Sequence, residues 1–155
     1  MTIRKANKKD IGRLIDLLEQ VLEIHAIARP DIFISGTTKY THDELKTMVD
    51  DDTNPIYVAA DADDIVMGYA FCQLKQPHSN CMAEHKTLYI DDLCVDEKAR
   101  GQHVGESLFE YVKEEAKKIG CSAITLNVWR GNDSAERFYE KMGMSIRSKT
   151  MEFLL

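Results

Sequence analysis

Apolar side chains in the first third of the chain recur at helical rather than strand spacing. From Ile11 they fall every three or four residues, which is the period of a helix with one buried face. Asn7 and Asp10 precede this stripe and are suited to cap the helix. The elements predicted here are an edge strand, a helix, a loop and a short second helix, at residues 2–5, 11–22, 30–41 and 43–49.

The apolar pattern changes its period at about residue 55. Segments rich in Ile, Val, Tyr and Phe are separated by polar turns, which is typical of β-strands, and the acidic turn at residues 61–64 predicts a hairpin. Gly120 and Gly143 end two later helices, and Asp133 and Glu136 fit a capping box that starts the second of them. The predicted elements are strands at 55–60, 66–74, 88–95 and 123–129, helices at 104–119 and 135–142, and one or two closing strands within 144–155.

The order of these elements predicts a mixed sheet covered by helices. Early hairpins pair antiparallel, and the later strand–helix–strand crossover adds a parallel neighbour. We therefore expect an α/β fold with a mixed, mostly antiparallel central sheet and about four helices. Nothing in the pattern divides the chain, so we expect one domain over residues 1–155.

Composition and charge narrow the classes of partner. The chain carries 26 acidic and 20 basic side chains, and this net charge of -6 disfavours nucleic acid and slightly favours cationic small molecules. No apolar run approaches a membrane span, and the first ten residues lack the apolar region of a secretory signal. The cysteines and histidines show no metal-ligand spacing. We expect a cytoplasmic protein with reduced thiols, no metal, and no nucleic-acid or membrane partner. The sequence leaves the oligomeric state undetermined, and a homodimer is one of the alternatives.

A buried strand that runs through a glycine turn into an amphipathic helix is the most informative stretch, at residues 93–108. Amides in the first turn of a helix lack partners and the macrodipole adds positive charge, so the turn Arg100–Ser107 is suited to bind a pyrophosphate. Gly101 and Gly105 allow the backbone to approach phosphates closely. Their spacing fits neither G-x-G-x-x-G nor a Walker loop. An ordinary left-handed turn that only starts a helix is the alternative.

Two motifs, at residues 102–107 and 126–143, resemble those of a known superfamily. The first, QHVGES, is similar to the Gln/Arg-x-x-Gly-x-Gly/Ala signature of the GNAT superfamily of acyl-CoA-dependent N-acetyltransferases. Ser107 stands where that signature prefers Gly or Ala, and His103 stands where many members carry Gly. The second motif resembles a strand that ends in Asn and a helix that carries Asn-x-x-Ala-x-x-x-Tyr before a glycine. The residues that match it are Asn132, Ala135, Tyr139 and Gly143.

The resemblance implies a GNAT-like acyltransferase fold, in which the strand ending at Val95 splays from the strand that begins at residue 123. The pantetheine arm of acetyl-CoA lies in that cleft and pairs with the backbone around Leu93. Tyr139 then protonates the departing thiolate or stabilises it by a hydrogen bond, although a core aromatic is the alternative. The residues implied to bind acetyl-CoA are Leu93, Cys94, Val95, Arg100, Gly101, Gln102, His103, Val104, Gly105, Glu106, Ser107, Asn127, Asn132 and Ser134.

Two acids interrupt the apolar strand at residues 89–95, and a buried acid needs a partner or a function. The run resembles the Glu-Asp stretch of polyamine-acetylating members, with Asp91 at the glutamate position. Asp91 is therefore the first candidate for the base or the ligand of the substrate amine, ahead of Asp92 and Glu84. Strict alternation puts Asp91 and Asp92 on opposite faces, whereas a bulge would change their orientation. A solvated pair near a strand end is the alternative.

Other reactive side chains are weaker candidates. Cys94 invites a covalent mechanism, but no base adjoins it in sequence, which favours a small buried residue. His25 and His42 flank the loop that covers the acceptor in this superfamily. Surface residues of a mobile loop are the alternative for its side chains. The further candidates on this loop are Arg29, Asp31, Phe33 and Tyr40.

Taken together, these features predict an N-acetyltransferase. It moves an acetyl group from acetyl-CoA to a primary amine by direct attack in a ternary complex. A noncatalytic acyl-CoA-binding sensor of the same fold is the rival, because fold alone does not determine function. A domain that only binds other proteins is a third hypothesis, which the predicted pyrophosphate-binding turn disfavours. The acceptor stays open among a polyamine, an amino acid, an aminoglycoside-like amine and a protein N-terminus.

Overall fold

The helices and strands largely follow the apolar pattern. A computed structural model describes residues 1–155. Short 3-10 turns lie at Lys8–Asp10 and Glu97–Ala99. The strands are β1 (Thr2–Lys5), β2 (Ile56–Ala60), β3 (Val66–Lys75), β4 (Thr87–Val95) and β5 (Ala123–Leu126). The α-helices are α1 (Ile11–Ala28), α2 (His42–Met48), α3 (Val104–Ile119) and α4 (Asp133–Lys141).

The strands form one open sheet in the order β1-β2-β3-β4-β5. The first three pairs are antiparallel, and β4 and β5 are parallel neighbours connected through α3. The predicted mixed, mostly antiparallel sheet with four helices is therefore confirmed. The parallel pairing ends where Ile90 faces Leu126, but β4 continues to Val95. Beyond Ile90 the strands are no longer paired, as expected for a splayed pair.

Two apolar clusters hold helices against opposite faces of the sheet. Neighbouring strand residues such as Tyr57 and Val58 contribute to different clusters, as strand alternation requires. The cluster under α1 and α2 includes Leu14, Leu17, Leu18, Leu45, Val58, Tyr69 and Phe71. The cluster under α3 and α4 includes Tyr57, Ala70, Cys72, Ile90, Phe109 and Val112, with partly buried Phe138, Tyr139 and Met142 packed against it. The sheet is thus the middle layer of three.

Helix ends differ in detail from the sequence predictions. The predicted cap at Asn7 is present, because Asn7 and Asp10 form a capping box at the 3-10 turn that leads into α1. The predicted capping box of α4 is wrong. The Asn132 side chain caps this helix by accepting from the Ala135 amide at 3.3 Å, so Asp133 already lies within the first turn.

The end of the chain differs most from its prediction. Residues 144–155 contain no regular secondary structure, so the predicted closing strands are wrong for this structure. Alternating apolar residues give strand propensity, but a strand also needs a paired neighbour. Strand β5 stops at Leu126 instead of residue 129 and pairs only with β4. The apolar side chains of Met151 and Phe153 are consequently exposed.

Candidate active site

A cavity of about 300 Å³ lies where β4 and β5 separate. It is bounded by α1, the loop after α1, the second half of β4, the residues after β5 and the start of α4. Most of the lining is apolar, and two adjacent carboxylates interrupt it. The polar and aromatic lining residues are His25, Phe33, Lys39, Tyr89, Asp91, Asp92, Asn127, Trp129 and Tyr139.

A β-bulge brings both carboxylates to this cavity. In the pairing of β3 with β4, Asp92 lies opposite Phe71 and Ile90 lies opposite Cys72, so Asp91 is the extra residue. Without the bulge, alternation would send Asp91 and Asp92 to opposite faces. The bulge therefore resolves the orientation that the sequence left open, and both side chains line the cavity.

Asp91 is held by two side chains from the loop that precedes α2. Its Oδ2 atom accepts from Lys39 Nζ at 2.7 Å and from the Tyr40 hydroxyl at 2.8 Å. The Tyr40 ring stacks on Phe71 with centroids 5.4 Å apart, which fixes the donor. Burial, with the charge of Asp91, raises the pKa of Tyr40, so its hydroxyl remains a donor at neutral pH.

Asp92 lies deeper and has one neutral partner. Its Oδ2 atom accepts from the Tyr69 hydroxyl at 2.8 Å. Burial raises the pKa of Asp92 to about 6, against the hydrogen bond from Tyr69, which lowers it. A carboxyl that titrates this close to neutral pH is suited to exchange protons during catalysis.

This raised pKa predicts a pH-dependent stability. A carboxyl whose folded pKa exceeds its ordinary value stabilises the fold when protonated, and that contribution is lost as pH rises through about 6. Asp92→Asn stays neutral and keeps an acceptor for Tyr69. We expect it to be more stable than the parent by about 1 kcal/mol near pH 7.5 and equal to it near pH 4. Urea unfolding at the two pH values measures this, and a less stable variant near pH 7.5 would contradict it.

Tyr139 lies on α4 at the inner wall of the cavity. Its ring packs against Phe138 and Phe109, with centroids 5.1 and 6.3 Å away, while its hydroxyl bonds to no group of the chain. Burial, and then the charge of Asp92, raises the pKa of Tyr139. The hydroxyl is therefore protonated at neutral pH and free to donate to a bound molecule.

Aromatic side chains line the outer part of the cavity. Phe33 contacts both His25 and Trp129, with ring centroids 5.1 Å apart in each pair. The Arg29 guanidinium lies 6.0 Å from the Trp129 ring. Burial, followed by the charge of Lys39, lowers the pKa of His25, which is therefore neutral near pH 7. This rim presents aromatic surface at the cavity.

The turn before α3 presents a series of unpaired backbone donors. The amides of residues 101–106 donate to no group of the chain, whereas the Ser107 amide bonds to the His103 carbonyl at 3.0 Å. Gly101 has φ +78° and His103 has φ +59°, a left-handed conformation that glycine adopts without strain. That conformation explains why a glycine is common at the His103 position. Consecutive free amides at a helix start are suited to bind an anion.

Side chains of the turn have mainly structural contacts. Glu106 accepts from His103 Nδ1 at 3.0 Å and from Lys141 Nζ at 2.5 Å, which ties the turn to α4. A Cβ atom at Gly105 would lie 3.4 Å from the Phe138 ring, at the edge of ordinary van der Waals contact, so the packing of α4 leaves room for little more than a methyl group there. Arg100 and Gln102 are exposed beside the free amides.

The remaining predicted binding residues occupy three kinds of position. Leu93 and Asn127 line the cavity, and the Asn127 amide donates to the Tyr89 hydroxyl at 3.1 Å. Asn132 caps α4, and Ser134 is exposed on its first turn. Cys94 is buried with its thiol 3.7 Å from the Leu17 carbonyl, outside the cavity, which agrees with a small buried residue.

Several candidates lie elsewhere, and the cavity includes residues that the sequence did not single out. Glu84, Asp31 and His42 do not line it. Lys39 and Trp129 both line it. Lys39 belongs to no recognisable motif, and Trp129 lies within the second motif without being one of its matching residues. A helical or strand period cannot indicate that a loop lysine 52 residues away meets Asp91.

The chain has neither a metal cluster nor a membrane-spanning helix. No group of three or more His, Cys, Asp or Glu side chains is arranged to hold a metal ion. None of the helices combines the length and the apolar character needed to cross a bilayer.

Similar proteins share this architecture. Glucosamine 6-phosphate N-acetyltransferase of Arabidopsis thaliana is 35% identical over 66 residues, which cover 43% of this chain and 42% of that enzyme. The chain thus spans less than half the length of the plant relatives that it matches. The crystal structure of a mutant BH1408 protein from Bacillus halodurans superposes with a TM-score of 0.95 at 35% identity, covering 100% of this chain and 99% of that one.

A more distant structure with its ligand shares the fold. An aminoglycoside N-acetyltransferase, AAC(6')-Iy, in complex with CoA, has a TM-score of 0.73 at 14% identity and covers 99% of this chain and 98% of its own. At that identity the likeness shows the fold alone. The family model described as "Acetyltransferase (GNAT) family" matches residues 18–144, which include the cavity and the amide turn. This chain therefore belongs to the GNAT family of acetyltransferases.

Proposed function

We propose that this chain is an N-acetyltransferase that moves the acetyl group of acetyl-CoA to a primary amine by direct attack in a ternary complex. The observation that carries the proposal is the cleft between β4 and β5. Two carboxylates and a protonated phenol line this one cavity. An acid, a base and an unpaired strand edge in one cleft are the groups that amine acetylation needs.

The residues present fit a bound acetyl-CoA. The free amides of residues 101–106 would hold its pyrophosphate, with Arg100 and Gln102 as further donors. The edge of β4 from Asp91 to Val95, beyond the paired part of β5, would hydrogen-bond the pantetheine amides as an added strand does. When bound, acetyl-CoA supplies the acetyl group as a thioester.

The side chains of the cavity would carry the protons. Asp91 would hold the acceptor amine and receive a proton from its ammonium form, because only a neutral amine has a free electron pair. Asp92, whose pKa is raised to about 6, would be a second carboxyl in the cavity that accepts a proton. Tyr139 would donate its proton to the leaving thiolate. The rim of Phe33 and Trp129 would contact the body of the acceptor.

The pyrophosphate turn can be tested with a matched pair of glycine variants. Gly101 and Gly120 both have left-handed φ, +78° and +81°, and a Cβ atom at either would meet open space. Alanine at either position should therefore cost a similar ~1–2 kcal/mol of stability. We expect Gly101→Ala to weaken coenzyme A binding, because the substitution changes the orientation of the free amides. The expected loss is about 10-fold in affinity, the size of one charge-assisted hydrogen bond.

Gly120→Ala is the control, since Gly120 ends α3 at the opposite end from the turn. It should bind coenzyme A as the parent does. Calorimetry of both variants measures the difference. Equal affinity of Gly101→Ala and the parent would show that the pyrophosphate lies elsewhere.

A further inference from the structure

Lys39 places a primary ammonium group at the carboxylate proposed to hold the acceptor amine. Its Nζ atom lies 2.7 Å from Asp91 Oδ2, and the side chain is 40% exposed while that of Asp91 is 15% exposed. Lys39 lines the same cavity as Tyr139. The ammonium therefore lies at the wall of the cavity, on the loop before α2, in contact with Asp91.

We propose that Lys39 occupies the position of the acceptor amine and, when no other amine displaces it, accepts the acetyl group itself. This inference rests on the proposed function, because it needs acetyl-CoA in the cleft. A side-chain amine held in the cavity is at high effective concentration compared with an amine in solution. Lys39 would then be a self-acetylation site.

The Lys39 ammonium gives one proton to Asp91, and the free electron pair of Nζ forms a bond to the carbonyl carbon of acetyl-CoA. The carbon–sulfur bond breaks and its electron pair leaves on sulfur, which takes a proton from Tyr139. Tyr139 regains a proton from the new amide nitrogen through solvent. The products are Nε-acetyl-Lys39, coenzyme A thiol and one proton released by Asp91.

Acetylation of Lys39 would change the site in two ways. An amide carries no charge, so the ion pair with Asp91 is lost. The added acetyl group would also remain in the space where an acceptor binds. Self-acetylation would therefore inhibit the enzyme when acetyl-CoA is abundant and acceptor is scarce.

The test is to incubate the full chain with acetyl-CoA alone and to measure the acetylation of each lysine by peptide mass spectrometry. Lys113 and Lys117 on α3 are exposed, lie outside the cavity and report spontaneous acetylation. We expect Lys39 to gain about 42 Da, the net increase when one acetyl group replaces a hydrogen atom, at least ~100-fold faster than these two lysines, the lower end of acid–base catalysis. Tyr139→Phe should remove most of that advantage. Modification of Lys39 no faster than that of Lys113 would overturn the proposal.

The same preparation distinguishes a failure of the self-acetylation proposal from a failure of the proposed acetyl transfer. If the protein acetylates added amines but leaves Lys39 unmodified, self-acetylation is wrong and the proposed function stands. If coenzyme A does not bind, both are wrong.

A second measurement needs no acetyl-CoA. If Lys39 occupies the acceptor position, Lys39→Ala should bind butylamine about three-fold more tightly than the parent by calorimetry, the scale of one partly exposed ion pair. Lys39→Arg keeps the charge and should show no such gain. An unchanged or weaker affinity of Lys39→Ala would show that Lys39 does not compete with the acceptor.

Discussion

Tyr139→Phe should lower kcat about 100-fold or more, because it removes the proton donor for the leaving thiolate. The variant keeps the ring and its packing against Phe138 and Phe109. The hydroxyl bonds to no group of the chain, so the free energy of unfolding should change by no more than about 1 kcal/mol. Coenzyme A affinity should also persist. Steady-state kinetics, urea unfolding and calorimetry measure the three quantities.

Tyr111→Phe is the matched control for this prediction. Tyr111 lies on α3, packs against Tyr57 with ring centroids 5.2 Å apart, and does not line the cavity. The Tyr111→Phe variant also loses one phenolic hydroxyl, but outside the cavity in which acetyl transfer is proposed. Its kcat should therefore stay close to that of the parent. Full activity of Tyr139→Phe would mean that Tyr139 is a core aromatic and that water protonates the thiolate.

Asp91→Asn should lower kcat/KM about 100-fold while coenzyme A affinity stays within about two-fold of the parent. The amide still accepts from the Tyr40 hydroxyl, but it neither attracts an ammonium group nor takes its proton. The effect should depend on the charge of the acceptor. It should be largest at pH values where the acceptor is protonated, and steady-state kinetics across pH measures it.

Asp63→Asn controls for the loss of one negative charge. Asp63 is exposed in the turn between β2 and β3, and its carboxylate forms no ion pair. Its substitution should leave turnover unchanged. If Asp91→Asn and Asp63→Asn have equally small effects, the carboxylates of the cavity are a structural pair and the amine is bound elsewhere.

The fold follows from the sequence wherever periodicity and local capping act together. The stripe from Val104 to Ile119 and the strands β2, β3 and β4 are within one residue of their predicted bounds, because burial on one face imposes the period. The end of the chain could not be predicted in this way. Strand propensity within residues 144–155 is local, whereas the pairing that would realise it depends on how far β5 extends.

The candidate site was also predictable from the sequence only in part. The amide turn and Tyr139 belong to contiguous motifs, so their place could be inferred from the chain alone. The bulge at Asp91 depends on the register between β3 and β4, and a sequence does not display register. The ion pair with Lys39 depends on the path of a loop between two helices. Long-range contacts of this kind decide which carboxylate meets a cation.

We propose that this chain transfers an acetyl group from acetyl-CoA to an amine. The most direct test is thiol release from acetyl-CoA in the presence of a panel of primary amines, with the acetylated amine identified by mass spectrometry. The panel includes a polyamine, an amino acid, an aminoglycoside and a peptide with a free N-terminus. We predict release that depends on at least one amine and yields one acetylated amine for each thiol. Tight binding of coenzyme A with no amine-dependent release would contradict the claim and would indicate a noncatalytic acyl-CoA sensor.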